Sequence, residues 1–420
     1  MTDTAARRAA LTRAVDALHA EQTRFLAELV KVPSDNPPGD CLPHAERAAD
    51  LLEAMGFTVE RHAVPDDLVK ANGMIRATNL VVRKRFGGDG DGDGDGGPVI
   101  ALNAHGDVVA PGDGWTRDPY GAAVEDGVMY GRGVAVSKSD FATYAYALRA
   151  LEQVGADGLR GTAELHLTYD EEAGGAIGPK WLLDEGISKP DYAVSAGFSY
   201  QVVTAHNGCL HLEVTVRGRS AHAAQPDSGV DAMEAATGIL SALYAGRARL
   251  AERKSAVPGI GSPTLVVGLI SGGINTNVVP DKVTLRIDRR MIPEETAEAA
   301  QGEIEALIRE AAEVFPEVSV DVRRIMLAEP FGPVEGSDRL AAAFAEAATA
   351  AFGTDIGTTG IPLYTDARHY AAAGVPTVLY GAGPRTLLEA NAHRADEKLV
   401  LDDLKRATVA VADALATLLR

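Results

Sequence analysis

Apolar and polar residues along the first part of the chain alternate between a helical and an extended spacing. Helical spacing predicts helices over residues 11–29, 45–55 and 139–154. Extended apolar runs predict strands over residues 79–84, 99–103 and 163–168. Helices and strands that follow one another in this way are typical of an α/β domain, with a mainly parallel sheet covered by helices.

The pattern changes between Asn207 and Val322, where strands and helices repeat as two βαβ-like halves. This repeat predicts a compact α+β module of ferredoxin-like type. Its predicted elements are strand 210–216, helix 231–250, strands 264–270 and 282–288, helix 294–314 and strand 318–324. The α/β pattern then resumes, with a helix over 340–352, a strand over 375–380 and a closing helix from Asp402.

We therefore expect residues 206–324 to be inserted between the two parts, 1–205 and 325–420, of one α/β domain. Neither part has enough strands to form a closed core alone. Both parts are therefore expected to contribute strands to one sheet.

Length, composition and charge limit the function classes. A chain of 420 residues with 46% hydrophobic residues can bury a large core. Its formal net charge of −19 argues against nucleic acid and anionic membrane as partners, and fits an enzyme for a small substrate. Two cysteines, Cys41 and Cys209, form no disulfide framework and are typical of a reducing compartment. The N-terminal segment lacks the apolar core of a signal peptide, and no run is long enough to span a membrane, so we expect a cytoplasmic protein.

An acidic and glycine-rich tract, GGDGDGDGDGG, occupies residues 87–97. Its alternation resembles the start of a calcium-binding loop. However, Ile100 stands where that loop needs a bidentate glutamate, and a strand follows instead of a helix. The tract is therefore interpreted as a flexible hairpin between two strands.

Candidate catalytic residues follow two of the predicted strands. His105 and Asp107 lie two residues apart, so in extended chain both face the same side, and Asp107 can fix the tautomer of a metal-binding His105. Glu171 and Glu172 are adjacent and point in different directions. One of them can bind a metal ion while the other acts as general base on a water. Together these residues predict a hydrolase site.

Eight stretches in order along the chain extend this interpretation: VPSDNPPGD, NAHGDVVAPGDGW, DPYGAAVEDGVMYGRG, DEEAGG, GRSAHAAQPDSGVDA, GGINTNVVPDKV, TDARHYAAAGVPTVLYGAG and AHRADE. In these stretches the chain resembles the zinc-dependent amidohydrolase and exopeptidase family that includes acetylornithine deacetylase, succinyl-diaminopimelate desuccinylase, aminoacylase and carboxypeptidase G. The resemblance runs nearly end to end. It implies that the inserted module is a dimerisation or lid domain and that the protein is a homodimer.

The resemblance also implies a role for particular residues. His105, Glu172 and His393 match metal ligands, Glu171 matches the general base, and Asp107 matches the partner that orients the first histidine. In the inserted module, His222 matches a histidine that polarises the scissile carbonyl in the neighbouring subunit. Asn277 and Arg290 match groups that bind the substrate carboxylate. Asp366 and Arg368 match a stretch near the site, while His166, His206, His211 and His369 lack motif support and are interpreted as structural.

Two positions depart from the family pattern. Where the family has an aspartate that bridges two metal ions, this chain has Val136, and valine cannot bind a metal. Asp140, four residues later, is a less favoured replacement. Gly197 stands where the family has a terminal carboxylate ligand. An ordinary two-metal centre would therefore lose its bridge and one terminal ligand.

Three interpretations of the site remain open. His105, Glu172 and His393 are a complete set for one catalytic divalent ion, with zinc expected, although in the family they serve two metal positions roughly 3.5 Å apart. Catalysis without a metal is the second reading, and a non-hydrolytic binder of carboxylate ligands is the third. We expect an amidohydrolase for an N-acyl amino acid or short peptide with a free carboxylate, in which Glu171 activates the water.

Overall fold

The protein is described by a computed structural model that covers residues 4–87, 97–155 and 157–420. The acidic and glycine-rich tract lies almost entirely outside these residues, so its interpretation as a hairpin stays a prediction. Among the described residues, no helix is both long and apolar enough to cross a membrane.

The helices and strands alternate along most of the chain. The helices are α1 (Thr4–Val30), α2 (Leu42–Ala54), α3 (Asp66–Ala71), α4 (Lys138–Val154), α5 (Pro179–Asp184), α6 (Ala232–Leu250), α7 (Ala297–Ala312), α8 (Ser337–Phe352), α9 (Ala367–Ala372) and α10 (Leu401–Leu418). The strands are β1 (Val59–Ala63), β2 (Thr78–Phe86), β3 (Val99–His105), β4 (Ala123–Glu125), β5 (Val128–Tyr130), β6 (Gly161–Thr168), β7 (Tyr192–Ser195), β8 (Val202–His206), β9 (Gly208–Arg217), β10 (Thr264–Gly272), β11 (Lys282–Met291), β12 (Ser319–Ala328), β13 (Thr358–Ile361), β14 (Thr377–Leu379) and β15 (Lys398–Val400).

The larger of two compact units comprises Met1–Thr204, Pro333–Thr359 and Thr365–Arg420. Its main sheet has the strand order β1-β2-β6-β3-β7-β14-β8-β13, and the central strands β6, β3, β7 and β14 are parallel. Ile100, Ala101, Leu102 and Ala104 of β3 are all inaccessible to solvent, because a strand at the centre of such a sheet is buried on both faces. The predicted mainly parallel sheet is confirmed.

Helices α1, α4, α8 and α10 pack against one another around the core of this unit. Strand β14, from the last part of the chain, lies between β7 and β8 from the first part. The two parts therefore contribute to one sheet, as the small number of strands in each part predicts.

The smaller unit comprises Ala205–Gly332 and Gly360–Tyr364. Its antiparallel sheet has the order β10-β11-β9-β12, which with α6 and α7 gives the predicted ferredoxin-like α+β module. Alternate residues of β9 (Leu210, Leu212, Val214 and Val216) are buried in one apolar cluster with residues of α6 and α7. The alternate residues of β9 that start with Cys209 and His211 consequently face the opposite side of the sheet.

The predicted boundary after residue 324 falls inside β12, which continues to Ala328. The compact smaller unit also includes a short segment, Gly360–Tyr364, that belongs to the last part of the chain. A strand that continues through a boundary shows no change of hydrophobic pattern there, so the sequence carried no signal of its real end.

Candidate active site

The candidate catalytic residues lie beyond the ends of two paired strands. Strands β3 and β6 are parallel, and His105 is the partner of Thr168 in their register. The chain that leaves β3 at His105 and the chain that leaves β6 before Glu171 therefore emerge at the same edge of the sheet. This carboxyl edge is where open α/β sheets usually bind ligands.

Asp107 holds this edge together through three hydrogen bonds. It is fully buried, and its carboxylate accepts hydrogen bonds from Asn36 Nδ2 at 2.9 Å, Glu171 N at 3.3 Å and Glu172 N at 3.1 Å. These contacts connect a segment near the start of the chain to the turn after β6. The positions of the two glutamates are thus fixed by one carboxylate.

His105 is oriented by the same residue. Its Nδ1 lies 3.0 Å from the backbone oxygen of Asp107 and 3.4 Å from Asp107 Oδ1. Both neighbours are acceptors, so Nδ1 carries a proton and Nε2 is the nitrogen that faces the site. Burial opposes a charge on this ring, but Asp107, Glu171 and Glu172 raise the pKa of His105 well above its usual value.

Glu171 and Glu172 lie in a short 3-10 turn and face different histidines. Glu171 Oε2 lies 3.9 Å from His105 Nε2, and Glu172 Oε1 lies 3.2 Å from His393 Nε2. Burial raises the pKa of Glu171 to about 7, and the charges of Glu172 and Asp107 add to this effect against the opposing charge of His105. The divergence of the two side chains agrees with the expectation for adjacent residues.

Three of these side chains converge closely enough to share an ion. His105, Glu171 and Glu172 each offer a ligand atom within 4.8 Å of the other two. His393 joins them through Glu172, which raises its pKa, and its side chain is 52% exposed. Two of the predicted ligands, His105 and Glu172, thus lie together with Glu171, and the third, His393, contacts Glu172.

The other predicted substrate residues lie in the smaller unit. His222 is exposed, and its Nδ1 accepts a hydrogen bond from Ala224 N at 3.1 Å. Asn277 is also exposed and lies beside this turn, because its backbone oxygen accepts a hydrogen bond from Ala223 N at 3.0 Å. Arg290, on β11, forms an ion pair with Asp288 instead. The structure therefore brings His222 and Asn277 together on adjoining segments.

Comparison with known proteins identifies the family. The model of peptidase family M20/M25/M40 matches residues 101–417. The chain belongs to this family. It is accordingly a hydrolase that acts on amide bonds.

Individual relatives match most of the chain. A curated acetylornithine deacetylase from Myxococcus xanthus is 28% identical over 381 residues, which are 89% of this chain and 92% of the relative. The aminopeptidase PepT of Bacillus cereus has a similar fold, with a TM-score of 0.73 at 21% identity, and the match covers 96% of this chain and 99% of that one. The YXEP protein of Bacillus subtilis, described as a dinuclear metal-binding M20 peptidase, matches with a TM-score of 0.68 at 17% identity, over 96% and 99% of the two chains.

The loop that contains Val136 is fixed by a buried ion pair. Arg132 donates to Glu397 Oε2 at 2.6 Å, and both side chains are 1% exposed. The other oxygen of Glu397 accepts hydrogen bonds from Ala135 N at 3.0 Å and Val136 N at 3.3 Å. The backbone at position 136 is therefore firmly held, but its side chain offers no oxygen.

Asp140, four residues after Val136, accepts a hydrogen bond from the chain after β14. It is buried near the start of α4, and its Oδ1 accepts a hydrogen bond from Ala382 N at 2.7 Å. Burial raises the pKa of Asp140 to about 7, although backbone N–H groups oppose that effect. The carboxylate thus supports the chain after β14, and the charge of His105 also lowers its pKa.

The space at Gly197 is filled by the neighbouring strand. A Cβ atom built there would lie 2.7 Å from Tyr380 N and 2.8 Å from the carbonyl carbon of Leu379. Gly383 N also donates to the oxygen of Gly197 at 2.9 Å. The second departure from the family pattern is therefore part of the packing, because the backbone of β14 occupies the place of a side chain.

Two further buried acids surround Glu171, and sequence analysis assigned neither of them a direct role. Asp366 is 2% exposed, and neither of its carboxylate oxygens has a hydrogen-bond partner among the described residues. Burial and the nearby charge of Glu171 raise the pKa of Asp366 to about 7, while Arg368 lowers it. Burial also raises the pKa of Asp170, which precedes Glu171 and accepts a hydrogen bond from Ile177 N at 2.6 Å.

Sequence analysis also missed Asn36, which donates a hydrogen bond to Asp107, although Asn36 lies in the quoted stretch VPSDNPPGD.

Replacement of Gly197 by alanine tests the packing at this position. We expect Gly197→Ala to destabilise the protein by about 1–3 kcal/mol, because the added methyl group overlaps the backbone of β14. Gly302→Ala is the matched control, since a Cβ at this exposed helical position meets no atom within 4 Å and should stabilise α7 by about 0.5–1 kcal/mol. Denaturant unfolding measures both. Equal stability of Gly197→Ala and the parent protein would contradict the closed packing.

Proposed function

We propose that this protein hydrolyses the amide bond of an N-acyl amino acid or short peptide that carries a free carboxylate. The observation that carries the proposal is the convergence of His105, Glu171 and Glu172, whose ligand atoms lie within 4.8 Å of one another. Membership of the peptidase family and the likeness to an acetylornithine deacetylase support the same substrate class.

The donor set suits one divalent cation. Two imidazoles and one carboxylate, from His105, His393 and Glu172, are a ligand set of catalytic zinc that leaves a position open. Nε2 of His105 faces the site because Asp107 holds the other ring nitrogen. An ion bound there would lower the pKa of a water and polarise the substrate carbonyl.

A pair of ions fits these residues less well. Two divalent cations roughly 3.5 Å apart repel each other strongly unless carboxylates between them compensate the charge. Val136 supplies no bridging oxygen, and the packing at Gly197 leaves no space for a second carboxylate. We therefore propose a mononuclear centre.

Glu171 acts as the general base in this proposal. Its carboxylate is 15% exposed and faces His105, so it can reach both solvent and the buried side of the site. It would accept a proton from the attacking water and return it to the nitrogen of the leaving group. Asp107 holds the Glu171 backbone and thereby sets where the carboxylate points.

Residues of the smaller unit would complete the substrate site. His222, from the neighbouring subunit of a homodimer, would donate a hydrogen bond to the scissile carbonyl oxygen as negative charge develops there. Asn277 and Arg290 would bind the free carboxylate of the substrate, and a guanidinium is well suited to that task. Arg290 must then exchange its present partner, Asp288, for the substrate.

A second candidate is a metal-independent enzyme or a carboxylate-binding protein on the same fold. The loss of ligands at Val136 and Gly197 favours it. Chelation distinguishes the candidates, because removal of the metal abolishes hydrolysis only under the first.

Replacement of the proposed base is the direct test of function. We expect Glu171→Gln to lower kcat by about 10²–10⁴, because the amide cannot accept the proton of the water. Its thermal stability should change little, since the glutamate side chain contributes little to the apolar core. Hydrolysis of a panel of N-acyl amino acids and dipeptides provides the rate. Glu185→Gln, at an exposed position after α5, is the control and should retain full activity.

Unchanged turnover in Glu171→Gln would remove this residue from the mechanism. Loss of turnover together with a large loss of stability would mean that Glu171 is structural. Hydrolysis that persists after exhaustive chelation would favour the metal-independent enzyme.

The homodimer is proposed to form through strand β10 of the smaller unit. This strand lies at the edge of its sheet and pairs with β11. Val266, Leu269 and Ile270 on the strand are 50%, 66% and 54% exposed, and Ile274 just beyond it is 78% exposed. An exposed apolar edge strand is a site for pairing with another chain. A second copy of the same strand would cover it.

Charges on this edge should separate the subunits. We expect the double variant Leu269→Lys/Ile270→Lys to be a monomer at micromolar concentration, where the parent protein has twice the mass of one chain. Val314→Lys is the control, because Val314 is 72% exposed and follows α7 rather than β10. Light scattering coupled to size exclusion measures the mass. A monomeric parent protein, or a control that also dissociates, would contradict the proposed interface.

A further inference from the structure

A second cluster of metal-ligand side chains lies on the smaller unit, on the sheet face opposite α6 and α7. Cys209 and His211 alternate along β9 with the leucines that pack on the helices, so both point to the other face. On the neighbouring strand β11, Asp288 is the partner of His211 and Arg290 is the partner of Cys209. Four side chains thus meet across two adjacent strands.

Three atoms of this cluster converge on one point. His211 Nε2 lies 3.0 Å from Asp288 Oδ2 and 3.4 Å from Cys209 Sγ, and the sulfur lies 3.9 Å from the same Oδ2. Zinc bonds of about 2.0–2.3 Å in tetrahedral geometry place the ligand atoms roughly 3.3–3.8 Å apart. The observed separations therefore need to change by only a few tenths of an ångström to hold such an ion.

The arrangement does not fit a nucleophilic triad. In a triad, one ring nitrogen of the histidine faces the nucleophile and the other faces the carboxylate. Here, the same nitrogen of His211 faces both the thiol and the carboxylate. Convergence on one nitrogen is instead the geometry that a shared cation requires.

Arg290 orients the carboxylate for this purpose. Its Nε donates to Asp288 Oδ1 at 3.0 Å, and its second amino group donates to Oδ2 at 3.2 Å. The bond to Oδ1 can persist when Oδ2 binds an ion, and hydrogen-bonded carboxylates of this kind are common around protein metal sites. With zinc bound, the thiolate and the carboxylate would offset two of the three positive charges of the ion and Arg290.

The donor set and its exposure indicate the kind of ion. Thiolate and imidazole favour zinc over magnesium and calcium, which prefer oxygen ligands. Cys209 is fully buried, while the side chains of His211 and Asp288 are 37% and 31% exposed. An ion can therefore enter from the side of the histidine and the carboxylate, and a water can complete its coordination.

We propose that Cys209, His211 and Asp288 bind one zinc ion. The thiol loses its proton to solvent as the zinc–sulfur bond forms, so the step needs no oxidant or reductant. The ion would cross-link β9 to β11. It shares no ligand with the proposed hydrolytic centre, although Arg290, which orients Asp288 here, is also the residue proposed to bind the substrate carboxylate.

Cobalt(II) tests the proposal, because a cobalt–thiolate bond gives a charge-transfer band in the near ultraviolet that histidine and carboxylate ligands do not give. Titration of the full-length metal-free protein should produce this band, with saturation once one cobalt ion occupies this cluster, and zinc should displace it. The band should vanish in Cys209→Ala. The affinity of His211→Ala should fall roughly tenfold or more, since loss of a direct ligand costs at least as much as loss of an outer partner.

The chain provides matched controls. Cys41→Ala removes the other cysteine, which is buried in the larger unit, and should keep the band. Glu171→Gln and Glu172→Gln should also keep it, so the result does not depend on the hydrolytic centre. Circular dichroism confirms that each variant is folded. Absence of the band in the parent protein, or its loss in Cys41→Ala but not in Cys209→Ala, would overturn the proposal.

Discussion

The candidate active site depends on the buried carboxylate of Asp107. A charged group without solvent is costly unless hydrogen bonds satisfy it, and each such bond contributes roughly 1.5–3 kcal/mol. Asn36 and the N–H groups of Glu171 and Glu172 provide these bonds. Because one carboxylate connects the chain after β3, a segment near the start of the chain and the turn after β6, none of these segments can move without leaving it unsatisfied. The orientation of His105 follows from the same residue.

Acidic side chains outnumber basic side chains around Asp107. Burial raises the pKa of Glu171, Asp366 and Asp170. The positive charge of Arg368 lowers the pKa of Glu171 and Asp366. A site of this composition suits a cation, and in the proposed mononuclear centre neither Val136 nor Gly197 offers a carboxylate to a second ion. The loop at Val136 is held by a buried ion pair. The proposed centre thus combines acidic side chains, which favour a cation, with packing at Gly197 that excludes a further carboxylate.

Much of the fold could be predicted from the sequence, because the spacing of hydrophobic residues is a local signal of helices and strands. Hydrophobic spacing located the long helices and most central strands, and the motif spacing indicated candidate residues that the structure brings near Glu171. The features that the sequence did not reveal depend on contacts between residues that are far apart in the chain. The exclusion of a side chain at Gly197 depends on β14, which follows it by some 180 residues. His211 was interpreted as structural, since its proximity to Asp288 arises from strand pairing that no motif encodes.

The number of metal ions at the active site tests the central claim most directly. Crystals of the full-length protein grown with zinc, and examined by anomalous scattering at the zinc absorption edge, would reveal each ion beside His105, Glu172 and His393. The account predicts one peak there, with no protein carboxylate from position 136 or 197 among its ligands. Two fully occupied peaks roughly 3.5 Å apart, bridged by a protein carboxylate, would contradict it.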